Sequence, residues 1–125
     1  MSRPGITFTY SADVALPPRR LVRHGVADNR VTLATDGAAP ILGVTEQIPV
    51  ALNGSVDVIH GEVAMVEAGG PVARSSPVTA DGIGRAIVAA PAAGVNMWSG
   101  GIALEAATAA GDQFRMLVVP QRLQG

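Results

Sequence analysis

The chain of 125 residues has no cysteine and no lysine, and the two absences exclude different chemistry. Without cysteine there are no disulfide staples and no thiolate nucleophile or thiolate metal ligand, and the redox compartment cannot be inferred. Without lysine there is no Schiff base, no phosphate-loop lysine and no attachment point for lipoate or biotin. Aromatic residues are only 3%, too few for a stacking platform for single-stranded nucleic acid. Charged residues are 15%, below the roughly 25% of an ordinary soluble domain. The net charge of -1 supplies no field for nucleic acid or an anionic membrane. No apolar run approaches the ~20 residues of a spanning helix, and the first five residues, Met-Ser-Arg-Pro-Gly, begin no secretory signal.

What is present is apolar and turn-rich: 48% hydrophobic residues with 15 glycines and 9 prolines. One domain of this length buries well over half of its unfolded surface. With so little charge outside, part of the exterior is expected to be covered by partners.

The pattern is that of short strands. Residues 6–10 (Ile-Thr-Phe-Thr-Tyr) alternate apolar and polar and run into Leu16-Pro17-Pro18, a pair that forbids helix. They read as an extended N-terminal arm over 1–18, carrying one short strand and joined by a stiff elbow to a body over 19–125. The alternative is a first strand of the body's own sheet. Further strands are expected at 20–24, 30–35, 41–46, 54–59, 62–67, 85–89, 101–105 and 113–119, with Pro120 ending the last. Asp36-Gly37 and Asp81-Gly82 mark tight turns, and the alternation set by Val56 and Val58 breaks near Gly61, as at a bulge or bend. Residues 104–110 (Leu-Glu-Ala-Ala-Thr-Ala-Ala), closed by Gly111, are the one helix candidate, with a wide loop or a single helical turn as alternatives. The fold class is all-β: a small barrel or sandwich with at most one short helix.

Catalytic patterns are weak. Ser75, Ser76, His60 and Asp81 supply the residue types of a hydrolase triad, but no Gly-x-Ser-x-Gly elbow is present. His60 and Glu62 make half of a metal site at most. The Asp-Gly turns lack the spaced carboxylates of a calcium loop. The chain therefore reads as no enzyme, without metal or cofactor. Binding surfaces are better supplied. Arg19, Arg20 and Arg23 form the one basic cluster, suited to bidentate pairing with carboxylates of a partner. Ile6, Phe8 and Tyr10 on the arm cannot all be buried by so short a segment. Met97 and Trp98 sit in a small-residue loop as core lid or interface anchor.

The ordered set of segments resembles one family of bacteriophage capsid decoration (cement) proteins. It comprises Arg20-Leu-Val, residues 30–37 (Arg-Val-Thr-Leu-Ala-Thr-Asp-Gly), 41–46 (Ile-Leu-Gly-Val-Thr-Glu), 61–67 (Gly-Glu-Val-Ala-Met-Val-Glu), 76–86 and 101–112. The resemblance spans about residues 19–119. It implies a compact, β-tulip-like body, made in the host bacterial cytoplasm and seated on the outer surface of the virion capsid. It implies as partners the major capsid protein, whose subunits the body would bridge and stabilise, and sister copies in a homo-oligomer, a trimer before a dimer. Nucleic acid and membrane are not among its partners. On this reading Ile6, Phe8, Tyr10, Arg19, Arg20 and Arg23 face the capsid, and Met97 and Trp98 the sister copies. The competing reading is a host β-barrel module of lipoyl or biotinyl type, against which the missing lysine stands.

Overall fold

The computed structural model describes residues 6–61 and 63–125; the side chain of Ile6 lies outside the described residues, as do Glu62 and residues 1–5. Among the described residues the chain forms ten strands and no helix. Strands β1 (Ile6–Ala12), β2 (Leu21–His24), β3 (Arg30–Leu33), β4 (Gly43–Thr45) and β5 (Ser55–His60) close a barrel in the order β1-β3-β2-β4-β5. Strands β6 (Val63–Glu67), β7 (Pro77–Ala80), β8 (Ala86–Val88), β9 (Asn96–Ala103) and β10 (Gln113–Gln124) form a second sheet in the order β6-β10-β9-β7-β8.

Two apolar cores follow from the two-residue period of a strand. In β2, Val22 points into the barrel, where it joins Ala12, Leu16, Val31, Val56 and Val58. Its neighbour Leu21 points the other way and joins Val44, Ile59, Val66, Phe114 and Met116 between barrel and sheet. The apparent phase break in β5 has the same origin. Ile59 is buried because its outward face is roofed by the second sheet, while the pairing with β1 runs unbroken to Ile6↔His60. There is no bulge; the bend is at Gly61, with φ of 65°.

The N-terminal segment is extended, but its strand does not stand apart. Residues 6–11 pair antiparallel with β5 over six positions, and Ser11 and Ala12 pair parallel with β3. Of the two readings of this segment, the observed one is a first strand of the body's own sheet, a barrel stave, and the separate arm is corrected. The physical reason is closure, since β3 and β5 would otherwise present open edges. The proline pair is no elbow to a separate body, because Leu16 and Val50 exchange both backbone hydrogen bonds, at 2.8 and 2.9 Å, and Pro18 with Arg19 forms a turn.

Of three local expectations, one is decided in favour of its loop alternative and two are revised. Residues 104–110 form a loop: Ala107 exchanges two hydrogen bonds with Val72, and the Asp112 carboxylate accepts from the N–H of Thr108 and Ala109 and from the Thr108 hydroxyl. So few residues cannot sustain a helix against a carboxylate that offers their backbone another partner. Strand β10 does not stop at Pro120. Its register with β9 shifts between Val118 and Gln121, and at that irregularity a missing N–H costs no ladder bond. Met97 and Trp98 lie in strand β9 and not in a loop, paired with Leu123 and Arg122.

The β9–β10 crossing is tight at Gly101, where an added Cβ would meet the Leu117 carbonyl oxygen and come within 2.7 Å of Met116 Cε. Neither backbone nor buried methionine can yield cheaply. Gly101→Ala is expected to destabilise the fold by about 2 kcal/mol or more, read as a fall in the urea midpoint with unchanged slope.

Candidate interaction surfaces

The arginine cluster is divided by its own strand. Arg19 sits in a turn at φ of 57°, half-buried. Arg20 is spent inside the molecule: its guanidinium donates to the Ile83 carbonyl at 2.8 Å and to Glu67 at 3.4 Å, joining the barrel to the second sheet. Its backbone N–H donates to the Thr45 hydroxyl, which donates in turn to the Pro17 carbonyl. Arg23 is half-buried, its Nε enclosed without a hydrogen-bond partner.

The aromatic residues of β1 gather around His60. Phe8 is 54% exposed with its ring 5.1 Å from the imidazole. Tyr10 packs on the barrel core, and its hydroxyl shares a 3.0 Å hydrogen bond with His60 Nε2. On β9, Met97 lies against Gly37 and Trp98 lies under the Arg122 guanidinium, 5.8 Å from the ring centroid. Both are half-buried.

The triad residues are not assembled. His60 belongs to the barrel and to Tyr10, while Asp81 organises the β7–β8 turn by accepting from the N–H of Ile83 and Arg85 and pairing with the Arg85 guanidinium. Among the described residues no three histidines or carboxylates converge as a metal site.

Two features were not anticipated from sequence. Asp13 pairs with Arg30 and accepts from the Val26 N–H at 2.8 Å; Arg30 also reaches the Ala12 carbonyl and Asn53. The clamp fastens the end of β1 to β3 and to the 51–54 turn. The second feature is a slot of about 480 Å³ between the chain leaving β4 and the start of β5. Glu46, Gln47, Ile48, Val50, Ser55, Val56 and Asp57 line it. No motif marks either one; acids and arginines so far apart in sequence meet only through the closed barrel.

The titrating groups give the fold a definite acid response. The Arg30 guanidinium and the Val26 N–H hold the Asp13 carboxyl below its ordinary range. The Arg115 N–H and guanidinium do the same for Glu105, and the Thr108 hydroxyl with two backbone donors does so for Asp112. Burial, reinforced by His24, pushes His60 down. All four have folded values below their unfolded ones, so the unfolded chain takes up protons first and stability is lost as pH is lowered. The His60 contribution is full above about pH 6.5, its unfolded value, and is lost as pH drops through its folded value. The carboxylate contributions are full above about pH 4–4.5 and are lost below. Thermal midpoints should therefore fall in two stages on acidification, with His60→Gln removing the first stage alone.

The described residues form a small two-sheet β body whose polar groups are divided among separate surfaces. The sequence profile of the phage cement protein family matches residues 2–119, and the chain belongs to that family. Its role is therefore structural, at the capsid of a phage virion. The crystal structure of the head fiber gp8.5 N base in bacteriophage phi29 shares the fold, with a TM-score of 0.65, 17% identity, and 96% of this chain and 98% of that chain covered. No curated protein matches the chain at a significant level.

Proposed function

We propose that the protein binds the outer surface of the assembled capsid as a homo-oligomer, a trimer before a dimer, and stabilises the shell by bridging major capsid protein subunits without catalysing a reaction. The observation that carries this reading is the family match across 2–119, nearly the whole chain. The fold shared with a head fiber base supports an exterior seat. The mechanism is linkage. A protein that binds the assembled lattice better than free subunits opposes disassembly, and an oligomer sums weak contacts through effective concentration. Among the described side chains, Phe8, exposed beside His60, and the accessible parts of Arg19 and Arg23 are offered to the capsid, while Arg20 is committed internally. Met97 and Trp98, with Arg122, offer a half-buried patch to a sister copy.

The test is addition of purified protein to undecorated capsids. Saturable occupancy and a raised capsid disruption temperature are expected; capsids that neither take up the protein nor change in stability would overturn the reading.

A further inference from the structure

The slot beside β5 is built by two chains that part company. The β4–β5 register ends at Thr45↔Val58. From there β5 stays paired with β1 back to Ser55, whereas the chain after β4 swings away so that Val50 can pair with Leu16. The gap has a polar and an apolar component. Glu46, Gln47, Ser55 and Asp57 are its polar lining residues, and Ile48, also in the lining, stands 73% exposed. Neither carboxylate has a cationic partner among the described residues. Asp57 accepts only from the Thr9 hydroxyl, at 2.7 Å, on the strand that the slot does not face. Among the described residues Asp13, Glu67, Asp81 and Glu105 are each paired with an arginine, whereas Asp28, Asp36 and Asp112 are not. Of the described acids without an arginine partner, Glu46 and Asp57 are the two that line the slot.

We infer that this slot receives an extended, arginine- or lysine-bearing segment of the major capsid protein, its cation held between Glu46 and Asp57 and its apolar side chain against Ile48. The inference rests on the capsid-binding reading above and names the surface through which that binding acts. The chemistry fits in three ways. A guanidinium or ammonium between two carboxylates makes charge-assisted hydrogen bonds, stronger than neutral ones. An extended segment suits a gap bounded by a strand and a chain that has left it, the geometry in which extended peptides lie along sheets. The volume falls within the roughly 300–1,000 Å³ of sites that enclose small ligands or a few residues.

The experiment uses the full chain and undecorated capsids. Glu46→Gln with Asp57→Asn keeps shape and the Thr9 contact but removes both charges, and Glu46→Arg reverses one. The neutral pair should weaken capsid binding at least about tenfold, the reversal further, and added salt should weaken the wild type more than the neutral pair. A photo-crosslinking residue at position 48 should capture the major capsid protein. Unchanged affinity of both variants, or crosslinks solely to a second copy of this chain, would overturn the slot while leaving capsid binding in place. Failure of the wild type to bind capsids at all would take down both readings, so the two failures are distinguishable. Unaltered thermal midpoints of the variants show that a binding loss is not unfolding; should a variant fail to fold, the crosslinked wild-type surface decides.

Discussion

A chain shortened by residues 1–12 is expected to lose its cooperative fold. Strand β1 makes six register pairs with β5 and two with β3, and it alone separates those strands in the barrel order. Its loss opens two long edges and uncovers the barrel interior. Val31, Val56 and Val58 lose their cover, while Ala12 and the packing of Tyr10 disappear. Returning a buried aliphatic side chain to water costs about 1.5–3 kcal/mol. Three such valines, even partly exposed, therefore approach the lower end of the ~5–15 kcal/mol that holds a domain together. The clamp fails as well, since the Arg30 guanidinium no longer has the Ala12 carbonyl to hold. Circular dichroism and size exclusion decide the matter. A truncated protein that stays monodisperse and melts cooperatively near the wild-type temperature would restore the detached-arm view.

That expectation reverses what residues 6–18 suggest when read as letters, and the reason bears on what a sequence can disclose. Alternation over 6–10, 30–33 and 55–60 marks strands, because the period-two pattern is local. Asp81 organising the β7–β8 turn through its own side chain is equally local, and the Asp-Gly pair announces it. Partnership is not local. Nothing in Ile6–Ala12 says that its two neighbours will be β5, more than forty residues on, and β3, in parallel. Once those partners are known, an aromatic strand needs no outside cover for Tyr10, which lies on Val56 and binds His60.

The interaction surfaces were legible to the same degree. Arg19, Arg20 and Arg23 form a cluster on paper, but a turn and a strand send them to different surroundings, and Glu67 claims Arg20. Glu46 and Asp57 frame one slot although ten residues lie between them, and neither is conspicuous in sequence. Pro120 misleads for a related reason. A proline stops a regular ladder, yet here the ladder shifts register around it and resumes from Gln121 to Gln124. Trp98 is drawn into a strand by the Gly37 carbonyl that accepts its N–H and by the Thr79 hydroxyl that donates to its carbonyl.

Phe114→Ala should be the most costly single truncation in the chain. Phe114 is fully buried and heads the buried side chains by volume. The other aromatic residues are elsewhere: Phe8 is largely exposed, Tyr10 belongs to the barrel interior and Trp98 is half-buried on β9. The core between the sheets therefore has one ring, set among small side chains that include Ala64, Ala68, Ala80, Ala86, Ala103 and Ala107. Alanines carry no rotatable bulk with which to refill a hole, so the cavity term adds nearly in full to the lost transfer energy. A cost toward the upper part of the ~3–5 kcal/mol range for such truncations follows, a drop in thermal midpoint of roughly 10–20 °C. Phe114→Leu, which keeps most of the volume, should cost much less, and Val63→Ala on the exposed part of β6 should cost almost nothing. A Phe114→Ala protein that melts within a few degrees of the Val63→Ala control would mean that the barrel and the second sheet are not joined by this core. The joint matters for assembly too. On the proposed reading Glu46 and Asp57 of the barrel meet the capsid and Trp98 and Arg122 of the sheet meet a sister copy, so loosening the joint should lower capsid occupancy at temperatures where the protein alone is still folded.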